Sequence, residues 1–549
     1  MKTEDSEGTE DMDQASRTDR TDRTDQASRT DHTGHTGHTG RTGHTNQASR
    51  TDQANQVTEA DHAEHADHAE HADHAERTRT TGGPPPLAPP PPLPPPTRSE
   101  PARRQGRHDL TAAVLAALLV AAAILVGRSV QNRTGTLHVQ WPPLLASWDP
   151  HLGPGTPAAL TLAVLLVAYG PPLAARLPWR RLLAAAWAGS TAWVFSMALI
   201  DGWHRGVERR LTTKHEYLRV IDRFEDIPAT LRDFANHIVI GEPGNWPAHV
   251  AGHPPGATLT FVWLDRVGLG GGAWAAVWCV VVGSSAVLAA LVTVRVLADE
   301  NLARRAAPFL VLAPAAVWAG VSADGYFTAV AAWSVALLAL AATRRVRFPA
   351  AAAVGGGLLF GWTCYLSYGL GLMAAVLLAV LVLARTARPV VPFLLGALVV
   401  PAAFTLAGFN WWTAYHLLVE RYYQGAGGVR PYAYWVWANL ACAVLAAGLA
   451  AVAGVRRSAA YAPGAVRALR TGTTAPAHRL ALLVLAALVA LLAADLSGMS
   501  KAETERIWQP FLLWLLPAAA LLPARTARYW LVASVVPALL INHLLWTGW

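Results

Sequence analysis

The sequence is poor in charge, in cysteine and in lysine. Only 15% of its 549 residues are charged and 52% are hydrophobic, whereas an ordinary soluble domain carries about 25% charge. One soluble globular domain is thereby excluded. The three cysteines, Cys279, Cys364 and Cys442, are far apart and each falls inside an apolar run. They offer no disulfide framework and read as small buried hydrophobes. Past residue 100 lysine occurs only as Lys214 and Lys501, against 33 arginines. No apolar run precedes Leu110, so no cleavable leader is expected.

What is present falls into two unlike parts. Residues 1–100 carry a net charge of −9 and residues 101–549 a net of +17. The first 83 residues are an acidic repeat tail rich in Thr, Asp and His, with almost nothing apolar larger than alanine. No core can offset its ordering entropy, so it is expected to be disordered. Within it, His62, His65, His68, His71 and His74 alternate with acids at a three-residue period. Such a tract binds Zn²⁺ or Ni²⁺ loosely at most, because a period of three drifts around a helix. Residues 84–108 form a proline-rich linker that reads as a polyproline II spacer. The tail or linker is also where an unknown partner would bind.

Residues 109–549 read as an all-α polytopic membrane domain. Apolar segments of spanning length or slightly less lie near 110–127, 157–177, 182–200, 273–296, 306–321, 325–342 and 349–366. Further ones lie near 369–384, 390–409, 433–454, 480–496, 509–523 and 529–547. Arginines test the resulting count of about 13 transmembrane helices. Alternate turns, with the three arginines before the first span, hold 21 basic residues against Asp109, Asp299 and Glu300. By the positive-inside tendency these turns and the N-terminus are cytoplasmic, and the C-terminus is extracytoplasmic. The short apolar piece 257–264 would break the alternation if it crossed, so it is expected to lie flat in the outer interface. The basic balance therefore reports membrane orientation and does not imply a nucleic-acid partner.

Half of the acids past residue 100 lie in one large outer loop, 201–272. It has helical periodicity in Tyr217, Val220, Ile221 and Phe224, then in Leu231, Phe234 and Ile238, as expected of juxtamembrane helices. Asp201 stands where the third span emerges. There it reads either as a general base with a raised pKa or as an interfacial acid paired with Arg205. His215-Glu216 and Asp222 follow, and as a group they suggest acids and histidines over a membrane cavity. His253 precedes Pro254-Pro255, a rigid corner; it is placed to donate to a phosphate or to bond backbone at a helix start. Lys501, Glu505 and Arg506 form a compact charged loop, either an anion site or a surface ion-pair network. Asp324, at the tip of another hairpin, points to the same side, and membrane-edge ionisable groups are functional candidates by default.

This layout resembles the GT-C superfamily of membrane glycosyltransferases. That group includes protein O-mannosyltransferases, the aminoarabinose transferases of lipid A and actinobacterial cell-envelope mannosyl- and arabinosyltransferases. The resemblance covers about two thirds of the chain. It rests on an acid ending a span (Asp201), a large outer loop, the His253–Pro255 corner before an interfacial helix, and the Ser322-Ala323-Asp324 tip. The nearest adjacent acidic pair in the loop is Glu225-Asp226. The Ala- and Arg-rich, Lys-poor composition suits a high-GC bacterium such as an actinomycete, which makes the outer side extracytoplasmic. The resemblance implies a polyprenyl-phosphate sugar donor held among the helices, and a glycan or protein acceptor. Asp201, Glu216 and Asp222 would be the catalytic carboxylates. His215, His253, Asp324, Lys501, Glu505 and Arg506 would bind substrate. No cofactor is implied; some relatives use a divalent metal, but no residue pattern here calls for one.

Two other readings fit an apolar polytopic body. One is a transporter or lipid flippase, although no repeat relates the two halves and the charges gather at one membrane edge. The other is a non-catalytic membrane scaffold whose tail recruits partners.

Overall fold

A computed structural model describes residues 102–547. The acidic tail, its histidine tract and the prolines of the linker lie outside the described residues.

In chain order the helices are α1 (Ala102–Thr134), α2 (Thr156–Arg176) and α3 (Trp179–Ala198), then the short α4 (Ile227–Asp233), α5 (Ala248–Gly252) and α6 (Gly256–Arg266). Next come α7 (Gly272–Ser284), α8 (Ala286–Leu297), α9 (Glu300–Val311), α10 (Ala316–Ala319), α11 (Ala323–Ala342), α12 (Pro349–Leu366), α13 (Ala374–Ala384) and α14 (Val390–Leu406). The last are α15 (Trp411–Gln424), α16 (Ala426–Val429), α17 (Tyr432–Ala447), α18 (Leu449–Thr471), α19 (Pro476–Leu496), α20 (Thr504–Ile507), α21 (Gln509–Leu512) and α22 (Ala527–Leu544). Two strands, β1 (Ala146–Trp148) and β2 (Leu545–Thr547), pair antiparallel with Ser147 opposite Trp546. Helix α1 begins seven residues before the end of the stretch read as linker, so 102–108 are already helical.

Among the described residues eight helices are long and apolar enough to cross a membrane, and ten if each of two bent pairs is one span. This is the composition of a multi-pass membrane protein. The other apolar segments are shorter or broken. Residues 306–321 divide into α9 and α10, and 509–523 into α21 and a 3-10 turn. The bent pairs are α14 with α15, at 78°, and α17 with α18, at 111°. The second break falls at Gly448, whose φ of 81° a side chain would resist. Leucines and valines of α1, α2 and α14 stand exposed, Leu110, Val164 and Leu398 among them. Apolar faces of this extent on α1, α2 and α14 are where hydrocarbon replaces water as solvent.

The outer loop packs as its periodicity predicts. Tyr217, Val220 and Phe224 are buried along a 3-10 helix, and Leu231, Phe234 and Ile238 continue that inner face. Asp226 caps α4, its Oδ1 accepting from the Ala229 amide at 2.9 Å. Helix α6 is too short to span, as expected. Gly256–Val262 and Leu264 are buried by protein, between the 3-10 helix and α12, while Trp263 is exposed. At the centre, α11 is buried along nearly its whole length. Its Gly325 meets Gly283 of α7 so closely that a Cβ on Gly283 would lie 2.9 Å from the Gly325 carbonyl carbon. That crossing fixes where α11 starts, and so where Asp324 sits.

Candidate active site

Three pieces of chain meet at the start of α11: the Glu216–Tyr217 step, the α5–α6 corner, and the turn leading into α20. Asp324 lies in the first turn of α11, where the helix dipole favours an acid. Its Oδ2 accepts from Arg506 Nη1 at 2.7 Å, and both side chains are only 6% exposed. Arg506 also donates through Nη2 to Glu503 Oε2 at 3.1 Å. Burial alone would push the guanidinium down. The carboxylates of Asp324, Glu503 and Glu216 more than offset this and raise it, so the cation persists in a dry place. The turn carrying it is strained, because Ala502 (φ 76°) and Glu503 (φ 62°) are successive left-handed residues with side chains.

Glu216 is buried, and its Oε1 lies 2.9 Å from His249 Nδ1. Burial pushes this carboxyl up. His249 against it, with Arg506 and His253 further off, reverses the sign and holds it below the ordinary glutamate value. The next residue, Tyr217, stacks on Phe261 at 5.4 Å and meets the His253 ring edge-on at 5.7 Å. Burial, with the Asp324 and Glu216 charges, raises its phenol well above the usual range.

His253 lies 2.8 Å through Nδ1 from the His249 carbonyl. A carbonyl only accepts, so Nδ1 carries the proton. The ring faces Tyr217 and Phe327, and burial pushes its pKa down to about 4, which keeps it neutral. His215 is exposed and contributes its carbonyl, which accepts from the His249 amide at 3.0 Å and ties α5 to Glu216.

Lys501 donates from Nζ to the Gly427 carbonyl at 2.7 Å, and Tyr422 and Tyr423 face it. Arg430 donates to the Lys501 carbonyl at 2.8 Å and approaches Glu503 at 3.8 Å, which links this lysine to the Arg506 turn. Glu505 points away from the cluster. It is fully buried beside Cys442, neither carboxyl oxygen has a hydrogen-bond partner, and burial pushes its pKa up to about 7.

Of the residues singled out in sequence, the structure brings Glu216, His253, Asp324 and Arg506 together, with His215 and Lys501 at the margin. It does not bring Asp201 or Asp222 to them. Asp201 Oδ2 accepts from Arg210 Nη2 at 2.7 Å, and its Oδ1 lies 3.0 Å from His151. Arg210 in turn donates to the Thr547 carbonyl at 2.6 Å. The Arg205 contact read across one helical turn exists only at 3.8 Å, because Arg205 turns to Asp149 at 2.5 Å. Asp222 is exposed, on the side of its 3-10 helix away from Tyr217, Val220 and Phe224.

Two members of the cluster, His249 and Glu503, had no role assigned from sequence. The four-residue spacing of His249 and His253 was the available signal, since it places both on one helical face.

Below the cluster lies a cavity of about 80 Å³ among α3, α7, α8, α11 and α21. Gly283, Val287, Gly325, Leu512 and Trp193 line it, with Gln509 at its edge. Gly325 follows Asp324 directly, so the charged cluster and the apolar cavity adjoin at the head of α11.

No protein-family profile and no curated protein matches the chain. Among solved structures, it is similar to the oligosaccharyltransferase of Archaeoglobus fulgidus. A crystal structure of that protein with Zn and sulfate superposes with a TM-score of 0.39 at 15% identity, covering 66% of this chain and 52% of that one. The archaeal protein in complex with an inhibitory peptide and a dolichol-phosphate gives 0.38 at 13% identity, covering 66% and 55%. The chain thus spans about half the length of the structures it matches.

Proposed function

We propose that the protein is a membrane glycosyltransferase of the GT-C type, moving a sugar from a polyprenyl-phosphate donor to an extracytoplasmic hydroxyl on a glycan or protein. The observation that carries this reading is the adjacency of the Glu216–His249–Asp324–Arg506 cluster to an apolar cavity at the head of α11. A lipid-linked sugar needs both: a dry place for hydrocarbon, and beside it a base and a fixed cation. At about 80 Å³ the cavity is smaller than the roughly 150 Å³ that encloses a benzene ring, so a lipid segment enters only as the surrounding helices part.

In this reading the acceptor hydroxyl loses its proton to the Glu216 end of the cluster, its oxygen bonds to the anomeric carbon, and the bond from that carbon to the lipid phosphate breaks. Charge then gathers on the departing phosphate. Arg506, oriented by Asp324 and Glu503, is placed to stabilise it, with Lys501 behind. The alternation of arginine-rich turns supports the topology that puts this cluster outside and the N-terminus in the cytoplasm, with the short and broken helices counted towards thirteen crossings.

The test is transfer in proteoliposomes holding the full chain, with a panel of polyprenyl phosphates each bearing one hexose or pentose. E216Q, D324N and R506K are each expected to lower transfer by roughly 10²–10⁴-fold while inserting normally. Glu242→Gln, an exposed acid of the same loop, should transfer like the wild type. Normal transfer by all three cluster variants would sink the assignment.

A further inference from the structure

Each carboxylate in the cluster already has a partner. Asp324 is held by Arg506, Glu503 faces both Arg506 and Arg430, and Glu216 faces His249. Depth also separates them: the side chains of Glu216 and Asp324 are 5% and 6% exposed, whereas that of His249, beside Glu216, is 11% exposed. The two other imidazoles do not share this arrangement. His253 is enclosed by Tyr217 and Phe327 and is too weak a base at neutral pH. His215 is exposed and offers the cluster its backbone carbonyl.

We propose that His249 is the group that takes the acceptor's proton, and that Glu216 acts through it as a positioning residue. The inference rests on the transferase reading. His249 Nδ1 lies 2.9 Å from Glu216 Oε1; in the proposed resting tautomer Nδ1 carries the ring proton and the arriving proton goes to Nε2. As the acceptor oxygen forms its bond to the anomeric carbon, its proton passes to Nε2. The electron pair of the breaking carbon–oxygen bond leaves on the lipid phosphate, and the new imidazolium rests against Glu216. Two local contacts fix the ring's position: the His249 amide bonds to the His215 carbonyl, and the His249 carbonyl lies against His253 Nδ1. The imidazole is therefore held from its own backbone on one side and from Glu216 on the other, which is the support a base needs to keep one tautomer.

The experiment uses the full chain in proteoliposomes with the same donor panel. His249→Ala is expected to lower kcat by roughly 10²–10⁴-fold with the donor KM little changed. Imidazoles added to this variant should restore transfer, faster for the more basic ones, as proton acceptance requires and a packing role does not. Glu216→Gln should lose less than His249→Ala and should gain nothing from added imidazole. A His249→Ala chain transferring at the wild-type rate, or a deficient one that no imidazole rescues, would overturn the proposal. A second measurement needs no donor: carbethoxylation by diethyl pyrocarbonate, resolved by residue in the wild-type chain. His249 should react at least tenfold faster than His253, and equal rates would also overturn the proposal. A wild-type chain that transfers from no donor overturns the transferase reading itself, an outcome distinct from an active chain indifferent to His249.

Discussion

At the scale of single residues, the neighbours of a buried acid decide what it does. Glu505 and Glu216 are both buried, yet their carboxyls move in opposite directions, because His249 and Arg506 outweigh burial at Glu216 whereas burial, with the Glu503 charge, prevails at Glu505. The folded protein holds the Glu505 proton up to about pH 7, while the unfolded chain releases it in the ordinary carboxylate range. Stability is therefore undiminished below that range, falls as pH rises from there to about 7, and stays lowered above it. Glu505→Gln keeps the shape without the charge. It is expected to raise the unfolding temperature at pH 8 and to leave it unchanged at pH 4, by thermal unfolding in detergent. An equal effect at both pH values would mean that Glu505 is not ionising.

The same scale shows what the sequence could and could not reveal. That Asp324 and Arg506 stand just outside apolar runs, and Glu216 in the large loop, is legible in the sequence. Which edge residues meet is not, since Glu216 and His249 are brought together only by the folding of the outer loop. Asp201 looks equivalent to them in sequence, but it is held by Arg210 through a chain segment hundreds of residues away. Composition carries no trace of that.

Among elements, the amphipathic pattern of 217–238 is a sound guide, because six of its seven apolar residues are buried and Ile221 is half-buried. Helix α6 was harder, since an apolar segment with no polar side gives no sign of whether lipid or protein covers it. Breaks were harder still. The bend at Gly448 depends on a left-handed glycine, and an isolated glycine among alanines marks no turn by itself. A close approach of elements near the cluster is the Gly283–Gly325 crossing of α7 and α11. Gly283→Val should force α11 away, displace Asp324 and Arg506, and lower transfer at least tenfold. The unfolding temperature should fall as well, since overpacking of this kind typically costs about 1–3 kcal/mol. A variant as stable and active as the wild type would show that the crossing does not set the position of Asp324.

Across the whole molecule, charge and hydropathy divide it more cleanly than the helices do. The polytopic membrane class was legible from composition alone, whereas the number of crossings was not. Several apolar segments are too short, or too sharply bent, to be counted by length. Orientation can be measured directly. A cysteine replacing exposed Asp222 should react with a membrane-impermeant maleimide in intact cells, and one replacing Arg347 only after permeabilisation. Both replacements are made in a Cys364→Ser background, since Cys364 is partly exposed while Cys279 and Cys442 are buried. The reverse pattern would invert the assigned topology and move the Arg506 cluster to the cytoplasm.

The pairing of β1 with β2 sets an order of assembly. Arg210, which neutralises Asp201, completes its own hydrogen bonding on Thr547, a residue synthesised 337 positions later. While the chain is being made, Arg210 and the β1 edge must wait in water or be guarded by other factors. The β1–β2 pairing and the Arg210–Thr547 bond thus close only when residues 545–547 arrive. A ribosome stalled within α22 would leave both open.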